Sequence, residues 1–250
     1  MIVSKFASHS LSRRRSIIAS FLFVFFGLMF PPGTTQATTP KKNAKSAPSQ
    51  GDVAEDAPAF PSIAPSLPPP GTSPMAELKK SNGALKKLFQ KQPPSWSPES
   101  DAKRSDMRKI VAGFLDFEEL AHRSLARHWD GLTPKQRSEF VSVLRDLIER
   151  NYIKQVHGQP NYDLRFEKET ITGSEATVIA TLDSQSNGKK VSVAMEYKLL
   201  YKGSHWLVFD VVTDEQSMLE NYRAEFSKII NKESFEALLK RMKKRLENAE

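Results

Sequence analysis

The sequence contains no cysteine and little glycine, and each scarcity excludes a class of function. Without a thiol the chain forms no disulfide, carries no thiolate nucleophile and offers no attachment point for a lipoprotein lipid. The part predicted to fold is poor in glycine and has no glycine-rich phosphate loop. Ser174 lies in a predicted turn between strands and not in a nucleophile elbow. The lack of a nucleophile motif disfavours a hydrolase, and we predict no enzyme and no catalytic residue.

Histidines are few and poorly spaced for a metal ion. The chain has five of them, at His9, His122, His128, His157 and His205. His122 and His128 are six positions apart, whereas two ligands on one helix face stand three or four apart. We therefore interpret the histidines as structural and predict no metal site and no cofactor.

A hydrophobic run long enough to span a membrane is also missing. Ile17–Phe30 is apolar over 14 residues, short of the roughly 20 that a spanning helix needs. Basic residues at Lys5 and Arg13–Arg15 precede this run, and Thr35-Gln36-Ala37 follows as a small-residue cleavage site. We predict that residues 1–37 form a cleaved secretory signal peptide. An uncleaved anchor is the alternative, and the arginines leave open a Sec or a twin-arginine signal.

Little net charge remains outside the predicted signal. The whole chain has a net charge of +8, and residues 38–250 hold 33 basic against 29 acidic side chains, a net of +4. Nucleic-acid binding needs basic residues gathered on one face, so we predict no nucleic-acid partner. Residues 38–73 are rich in proline, alanine, serine and threonine without apolar periodicity. This composition predicts a disordered tether, which either holds the folded part away from a membrane or is only a spacer.

Apolar residues at helical spacing predict four helices after the tether. The first two begin at Ser73-Pro74 and Ser97-Pro98. Asp116 is placed to cap the third, and the fourth begins with a capping box over residues 133–136. Gly158 is the expected end of the fourth helix. The apolar face of this helix is so broad that either a sheet or a ligand must cover it.

The apolar period changes from 3.6 to 2 at Tyr162, which predicts strands. Four alternating runs cover residues 162–167, 176–182, 190–201 and 205–212, and Asn187-Gly188 is a hairpin signal. Strands joined by such short turns pair antiparallel. Two more helices follow, the first opened by a capping box at residues 217–220. The predicted fold class is α+β, with N-terminal helices, a four-stranded antiparallel meander and C-terminal helices in one domain over residues 74–247.

Four motifs in order resemble one protein family. Residues 114–129, FLDFEELAHRSLARHW, resemble the F-D-F…A…LG..W segment of the MlaC family, soluble lipid carriers of the maintenance-of-lipid-asymmetry pathway. Residues 133–140 resemble its T-P-x-Q-R-x-x-F, residues 206–212 its W-x-V-x-D-V, and residues 217–226 its S-x-x-x-N-Y-R-x-x-F. The chain departs from the family at Asp214-Glu215-Gln216, where Glu-Gly-Val is usual, and in its long proline-rich tether.

The resemblance implies a monomeric periplasmic protein, exported by its signal peptide, that carries glycerophospholipid. Its implied partners are an inner-membrane ABC transporter complex and an outer-membrane lipoprotein complex, contacted transiently. Such a carrier needs no catalytic group but needs a dry cavity between sheet and helices, with the headgroup near the mouth. The alternative is a binding module without lipid, an envelope adaptor or chaperone whose apolar faces only form a core.

The predicted lipid-lining residues come from the fourth helix, the strands and the helix after them. For each of them, packing in an ordinary core is the alternative. They are Phe140, Leu144, Ile148, Tyr152, Val178, Val193, Met195, Tyr197, Trp206, Val208 and Tyr222.

Overall fold

The computed structural model describes residues 63–89, 98–157, 162–186 and 189–247, without the side chains of 89, 98–101, 103–104, 152–157, 186 and 189. The predicted signal peptide, the tether up to residue 62, the helix end at Gly158 and the Asn187-Gly188 turn lie outside the described residues. No helix in the described ranges is long and apolar enough to cross a membrane.

Four helices precede the sheet, as the apolar periodicity predicts. They are α1 (Pro74–Phe89), α2 (Pro98–Phe114), α3 (Phe117–Leu125) and α4 (Pro134–His157). A short 3-10 turn, Ala126–His128, follows α3 because Ala126 has a positive φ of 47° that breaks the helical geometry.

Both predicted helix caps before the sheet are present. The carboxylate of Asp116 accepts a hydrogen bond from the Glu119 backbone N–H at 2.9 Å. At the start of α4, the Thr133 hydroxyl accepts from the Gln136 N–H at 3.2 Å, and the Gln136 side chain accepts from the Thr133 N–H at 2.9 Å. The capping box is therefore reciprocal, and it satisfies two backbone donors that the helix leaves unpaired.

The sheet is antiparallel, and in the described residues it has five strands where the sequence predicts four. They lie in chain order as β1 (Tyr162–Thr172), β2 (Glu175–Ser186), β3 (Lys189–Lys202), β4 (His205–Thr213) and β5 (Gln216–Ser217). The fifth strand is only two residues long and pairs with the end of β4, so it is too short to show an alternating pattern in the sequence.

The first strand runs five residues further than predicted because a bulge interrupts the alternating pattern on which the prediction rests. The pairing of β1 with β2 shifts register between Phe166 and Lys168. The extra residue, Glu167, reverses the alternation. Apolar Ile171 therefore follows Phe166 at an odd spacing, and the single alternating pattern in the sequence stops at the bulge.

Two hydrophobic clusters hold the fold together. The smaller one, here called the sheet core, joins α1 to one face of β2, β3 and β4; its buried members are Leu78, Ala176, Val178, Leu199, Tyr201, Trp206 and Val208. The larger one, here called the helix core, joins the helices to one another and to Leu200 and Phe209 of the sheet, and Tyr162 packs against it from the start of β1. Its buried members are Leu85, Met107, Val111, Phe117, Leu120, Ala121, Leu125, Phe140, Val141, Val143, Leu144, Leu147, Ile148, Leu200, Phe209, Met218, Leu219, Tyr222, Phe226, Ile229, Phe235, Leu238, Leu239 and Met242.

The two cores meet where α2 ends. Phe114 and Leu115 pack against both clusters. Leu115 forms a parallel β-bridge with Val208, and the Asp116 N–H donates to the Val208 carbonyl at 2.8 Å. The chain between α2 and α3 therefore passes along the outer edge of β4 and connects the two faces of the sheet.

Two helices close the fold after the sheet, α5 (Met218–Lys232) and α6 (Phe235–Glu247). The predicted capping box at Ser217 forms only in part: the Ser217 hydroxyl accepts from the Glu220 N–H at 3.0 Å, but the Glu220 carboxylate pairs with Arg223. Asp210 supplies a further cap, since its buried carboxylate accepts from the Leu219 N–H at 2.9 Å.

Residues 63–73, which the sequence assigns to the tether, lie against the turn between β3 and β4. Pro65 forms an antiparallel bridge with Lys202, and the Ser66 N–H donates to the Tyr201 carbonyl at 3.1 Å. The packed structure therefore begins ahead of Pro74. Isolated prolines and apolar residues carry no periodicity, so sequence patterning gives no signal for such an edge contact.

Candidate functional site

The structure divides the predicted lining residues between the two cores. Those on helices, Phe140, Leu144, Ile148 and Tyr222, belong to the helix core. Those on strands, Val178, Trp206 and Val208, belong to the sheet core, and Tyr197 packs against it. Val193 is buried but belongs to neither cluster, and Met195 is partly exposed. The side chain of Tyr152 lies outside the described residues.

The helix members of the set pack tightly against the protein's own aromatic rings. Phe140 contacts Phe226 edge-to-face at a ring-centroid distance of 5.5 Å. Tyr222 stacks on Phe226 at 5.4 Å with the rings nearly parallel. Phe140 also contacts Phe235 at 5.9 Å. These contacts favour core packing as the role of Phe140 and Tyr222.

The strand members share one face of the sheet. Pairing places Val178 opposite Tyr197, Ala180 opposite Met195 and Leu182 opposite Val193, and residues two apart on a strand point to the same side. An apolar surface therefore extends from the sheet core along β2 and β3, well beyond the part that Leu78 of α1 covers.

Part of this face is desolvated and yet accessible. Tyr197 and Tyr162 are both partly exposed. Burial raises the pKa of the Tyr162 hydroxyl to about 12. It raises the pKa of Tyr197 well above its ordinary value, and the nearby Tyr162 adds to this shift. Both tyrosines are thus partly covered, and the partly covered apolar stretch of the face around Tyr162 and Tyr197 is here called the recess.

The sequence did not predict the polar groups at this recess. The Tyr162 hydroxyl donates to the Asn82 side-chain oxygen on α1 at 3.0 Å. Ser184 pairs directly with Tyr162 across the strands, is buried, and its hydroxyl has no hydrogen-bond partner among the described residues. Tyr162 and Ser184 keep the strand alternation, but Asn82 of α1 precedes Tyr162 by 80 residues, so no local signal links the helix to the strand.

A separate small pocket lies at the other end of the sheet, beside the β3–β4 turn. Its volume is about 190 Å³, and its lining includes Trp206, Tyr201 and Lys80. Ligand pockets usually measure about 300–1,000 Å³. This pocket is therefore too small for a lipid, and Trp206 faces it from the sheet core rather than from the recess.

The sequence model of the MlaC protein family matches residues 80–244, which is more than half of the chain. The chain belongs to the MlaC family. The match begins within α1 and ends within α6, so it includes both cores and the whole sheet.

Two proteins of known description are similar to the chain. The intermembrane phospholipid transport system binding protein MlaC of Haemophilus influenzae is 23% identical over 141 residues, which are 56% of this chain and 66% of that protein. The chain thus spans slightly less than two thirds of that relative. A structure of the phospholipid-binding protein from Ralstonia solanacearum, in complex with a phospholipid, matches with a TM-score of 0.58 at 17% identity, over 71% of this chain and 98% of that one. This likeness shows that the fold is shared.

The motifs that resemble the MlaC family are structural where the contacts are described. Arg137 donates hydrogen bonds to the Trp129 and Asp130 carbonyls at 3.2 Å each, and its guanidinium lies 5.2 Å from the Trp129 ring centre. Arg223 donates to the Arg123 carbonyl at 3.1 Å. These residues fix the corner before α4 and the contact of α5 with α3, so the recognisable sequence pattern marks the scaffold.

Proposed function

We propose that this protein is a periplasmic carrier that binds the acyl chains of a glycerophospholipid between the sheet and the helices. In this proposal it moves lipid between an outer-membrane lipoprotein complex and an inner-membrane ABC transporter complex. Membership in the MlaC family supports lipid transport. So do the two relatives, one named as a phospholipid transport protein and one solved with a phospholipid bound.

The observation that carries the proposal is the apolar recess on the sheet. Val193, Met195 and Tyr197 alternate along β3 on the same face as Val178. Tyr197 retains accessible surface in a desolvated setting. Burying an acyl chain there gains about 0.8 kcal/mol per methylene, so a recess lined by apolar strand residues is enough to hold a lipid without any covalent chemistry.

The residues of the helix core have a different role in this account. Phe140, Leu144, Ile148 and Tyr222 are buried among the protein's own side chains, and they hold the wall of the cavity in place. The lipid contacts come from strand residues at the margin of the sheet core, Met195 and Tyr197, which are partly exposed, and Val193 beside them.

Export and release follow from the same proposal. The predicted signal peptide over residues 1–37 delivers the chain to the periplasm, where the protein acts as a monomer. A carrier that moves between membrane complexes contacts each of them transiently, and it binds no nucleic acid.

A binding module without lipid, such as an envelope adaptor or chaperone, is the second candidate. The dense aromatic packing around Phe140 and Phe226 favours it, because those rings already cover one another. The two candidates differ in one respect: only the carrier requires the β2–β3 face to hold a ligand.

Substitutions on that face separate the two candidates. Val193→Gln and Val178→Gln place a larger polar side chain on the apolar face, and Ala194→Gln makes a comparable change at an exposed neighbour on the opposite face. The carrier predicts that the first two variants take up less phospholipid from liposomes, by more than their loss of stability explains, while Ala194→Gln keeps normal uptake. Equal loss of uptake and stability favours the plain core.

A further inference from the structure

We propose that α1 bends at Ser81-Asn82-Gly83, here called the hinge, and that this bending opens the recess so that acyl chains enter and leave. The inference rests on the proposed carrier function and names the element that moves when lipid is exchanged. The hinge lies in the middle of α1, which is a continuous helix over Pro74–Phe89 in the structure.

The hinge is the part of α1 least suited to a helix. Serine and asparagine favour a helix less than alanine does, and glycine inside a helix is less favourable still. Helices kink preferentially where glycine and serine stand close together. The residues on either side, Lys80 and Ala84, are good helix formers. The helix is therefore continuous but has one place where bending costs little.

Packing does not explain the glycine of the hinge. A Cβ atom at Gly83 would meet no atom within 4 Å outside its own stretch of helix, and the backbone there is helical. Alanine would therefore fit without a clash and would favour the helix. Since neither a close contact nor a positive φ requires glycine at this position, its presence points to a role in bending.

The two halves of α1 are anchored in different hydrophobic clusters. Before the hinge, Leu78 is buried in the sheet core and Met75 packs against it. After the hinge, Leu85 is buried in the helix core and Leu88 packs against it. When the two clusters move relative to each other, α1 must therefore bend between Leu78 and Leu85, where the hinge lies.

The polar contacts of α1 are divided in the same way. At its start, the Glu169 carboxylate accepts hydrogen bonds from the Ser73 hydroxyl and the Met75 backbone N–H, both at 2.8 Å. After the hinge, the Lys86 ammonium lies 3.1 Å from the Asp163 carboxylate. Glu169 follows the bulge of β1 and Asp163 precedes it. The two halves of the helix are therefore held by two segments of a strand that itself bends between them.

The hinge lies beside the recess. The Asn82 side-chain oxygen accepts a hydrogen bond from the Tyr162 hydroxyl at 3.0 Å, and Tyr162 borders the recess. This bond is only partly buried, so water replaces it at little cost when the helix moves. Bending at the hinge therefore shifts α1 away from Tyr162 and uncovers the apolar face beside it.

Gly83→Ala tests the hinge without removing a side-chain contact. The probe is phosphatidylglycerol with a fluorescent acyl chain, carried in phosphatidylcholine vesicles, and its entry into the protein and its exit are followed by stopped-flow fluorescence. Both rates should fall by about two- to fivefold, because alanine favours the straight helix over glycine. The equilibrium affinity should stay unchanged, since entry and exit slow alike.

Gly113→Ala is the matched control. Gly113 is an exposed glycine of α2, and a Cβ atom there would also meet no atom within 4 Å. This variant should exchange lipid at the rate of the unmodified protein. Equal slowing by the two variants would overturn the hinge, because stiffening a helix away from the recess would then have the same effect.

A distance measurement tests the bending itself. Because the chain contains no cysteine, Ala76→Cys combined with Lys87→Cys introduces the only two thiols, at exposed positions on either side of the hinge. A straight helix spans about 16 Å between them. Spin labels on these thiols should give a distribution of distances with a shorter, bent component, which Gly83→Ala reduces. A single distance that Gly83→Ala does not change would overturn the hinge.

The results separate the hinge from the carrier function. If the unmodified protein takes up no phospholipid from the vesicles, the carrier function fails, and the role of the hinge in lipid exchange fails with it. If it takes up phospholipid and Gly83→Ala exchanges lipid equally fast, only the hinge fails. If Gly83→Ala lowers the affinity instead of the rates, Gly83 acts on the bound state and the hinge is again overturned. Thermal unfolding should show Gly83→Ala to be folded and at least as stable as the unmodified protein.

Discussion

The Lys202 ammonium lies 3.1 Å from the Asp116 carboxylate, and both side chains are buried. Lys202 stands at the end of β3, and Asp116 caps α3. Glu118 adds a second carboxylate at 3.3 Å from the same ammonium. The pair therefore fastens the sheet to the helix core at the point where the two clusters meet.

Removing Lys202 should destabilise the protein strongly. Lys202→Met leaves the buried Asp116 carboxylate without its partner, and a broken buried pair typically costs about 3 kcal/mol or more. Urea unfolding measures the difference. Lys168→Met, a change at an exposed lysine of β1, should shift the midpoint little. Equal effects of the two variants contradict the role of the pair.

Stability should depend on the protonation of Glu149. Burial raises the pKa of this α4 carboxyl, with Arg108 and Arg145 opposing the rise and Asp146 adding to it. Because the pKa in the folded state exceeds the unfolded value of about 4.3, ionisation costs stability as the pH rises through the folded value. Glu149→Gln should therefore stabilise the protein at neutral pH, with the gain vanishing below about pH 4. Denaturant titrations across this range check the sign, and a gain at low pH alone contradicts it.

The capping box at the start of α4 should contribute measurably to the free energy of unfolding. Thr133→Ala removes the acceptor for the Gln136 N–H, and loss of such a cap costs about 1 kcal/mol. Thr170→Ala, on the exposed side of β1, controls for the loss of a threonine. Unfolding free energies from urea titration compare the two, and an unchanged Thr133→Ala value would show that the cap is redundant.

Replacing the Asp210 carboxylate by an amide should lower the stability of the protein. Its carboxylate accepts from both the Leu219 N–H and the Ser217 hydroxyl. Asp210→Asn keeps one acceptor oxygen and loses the charge, so one of these donors becomes unpaired at a cost of about 2 kcal/mol. Asp183→Asn is the comparison. Its partners Arg165 and Ser192 are exposed to water, so this change should lower the free energy of unfolding less. Chemical unfolding measures both.

Periodicity and capping residues predicted most of the fold. The four helices before the sheet, the antiparallel strand order and the two helices after it are confirmed. These elements carry local signals, such as Thr133 and Gln136 at the start of α4. The bulge at Glu167 and the two-residue β5 were missed because neither leaves a pattern in a stretch of sequence.

The site was less predictable than the fold. Apolar residues at the right spacing, such as Phe140 and Val178, look alike in sequence whether they line a cavity or fill a core. The polar cluster was missed because Asn82 and Tyr162 meet only through the packing of α1 on β1. A contact between distant elements depends on tertiary packing, and a single sequence carries no local signal for it.

Phospholipid binding is the property on which the proposed function depends. The most direct measurement is to extract the purified, folded protein with organic solvent and to identify and count the released lipid by mass spectrometry. The carrier account predicts glycerophospholipid at close to one molecule per protein. An empty extract from a well-folded preparation that also takes up no lipid from liposomes would contradict it.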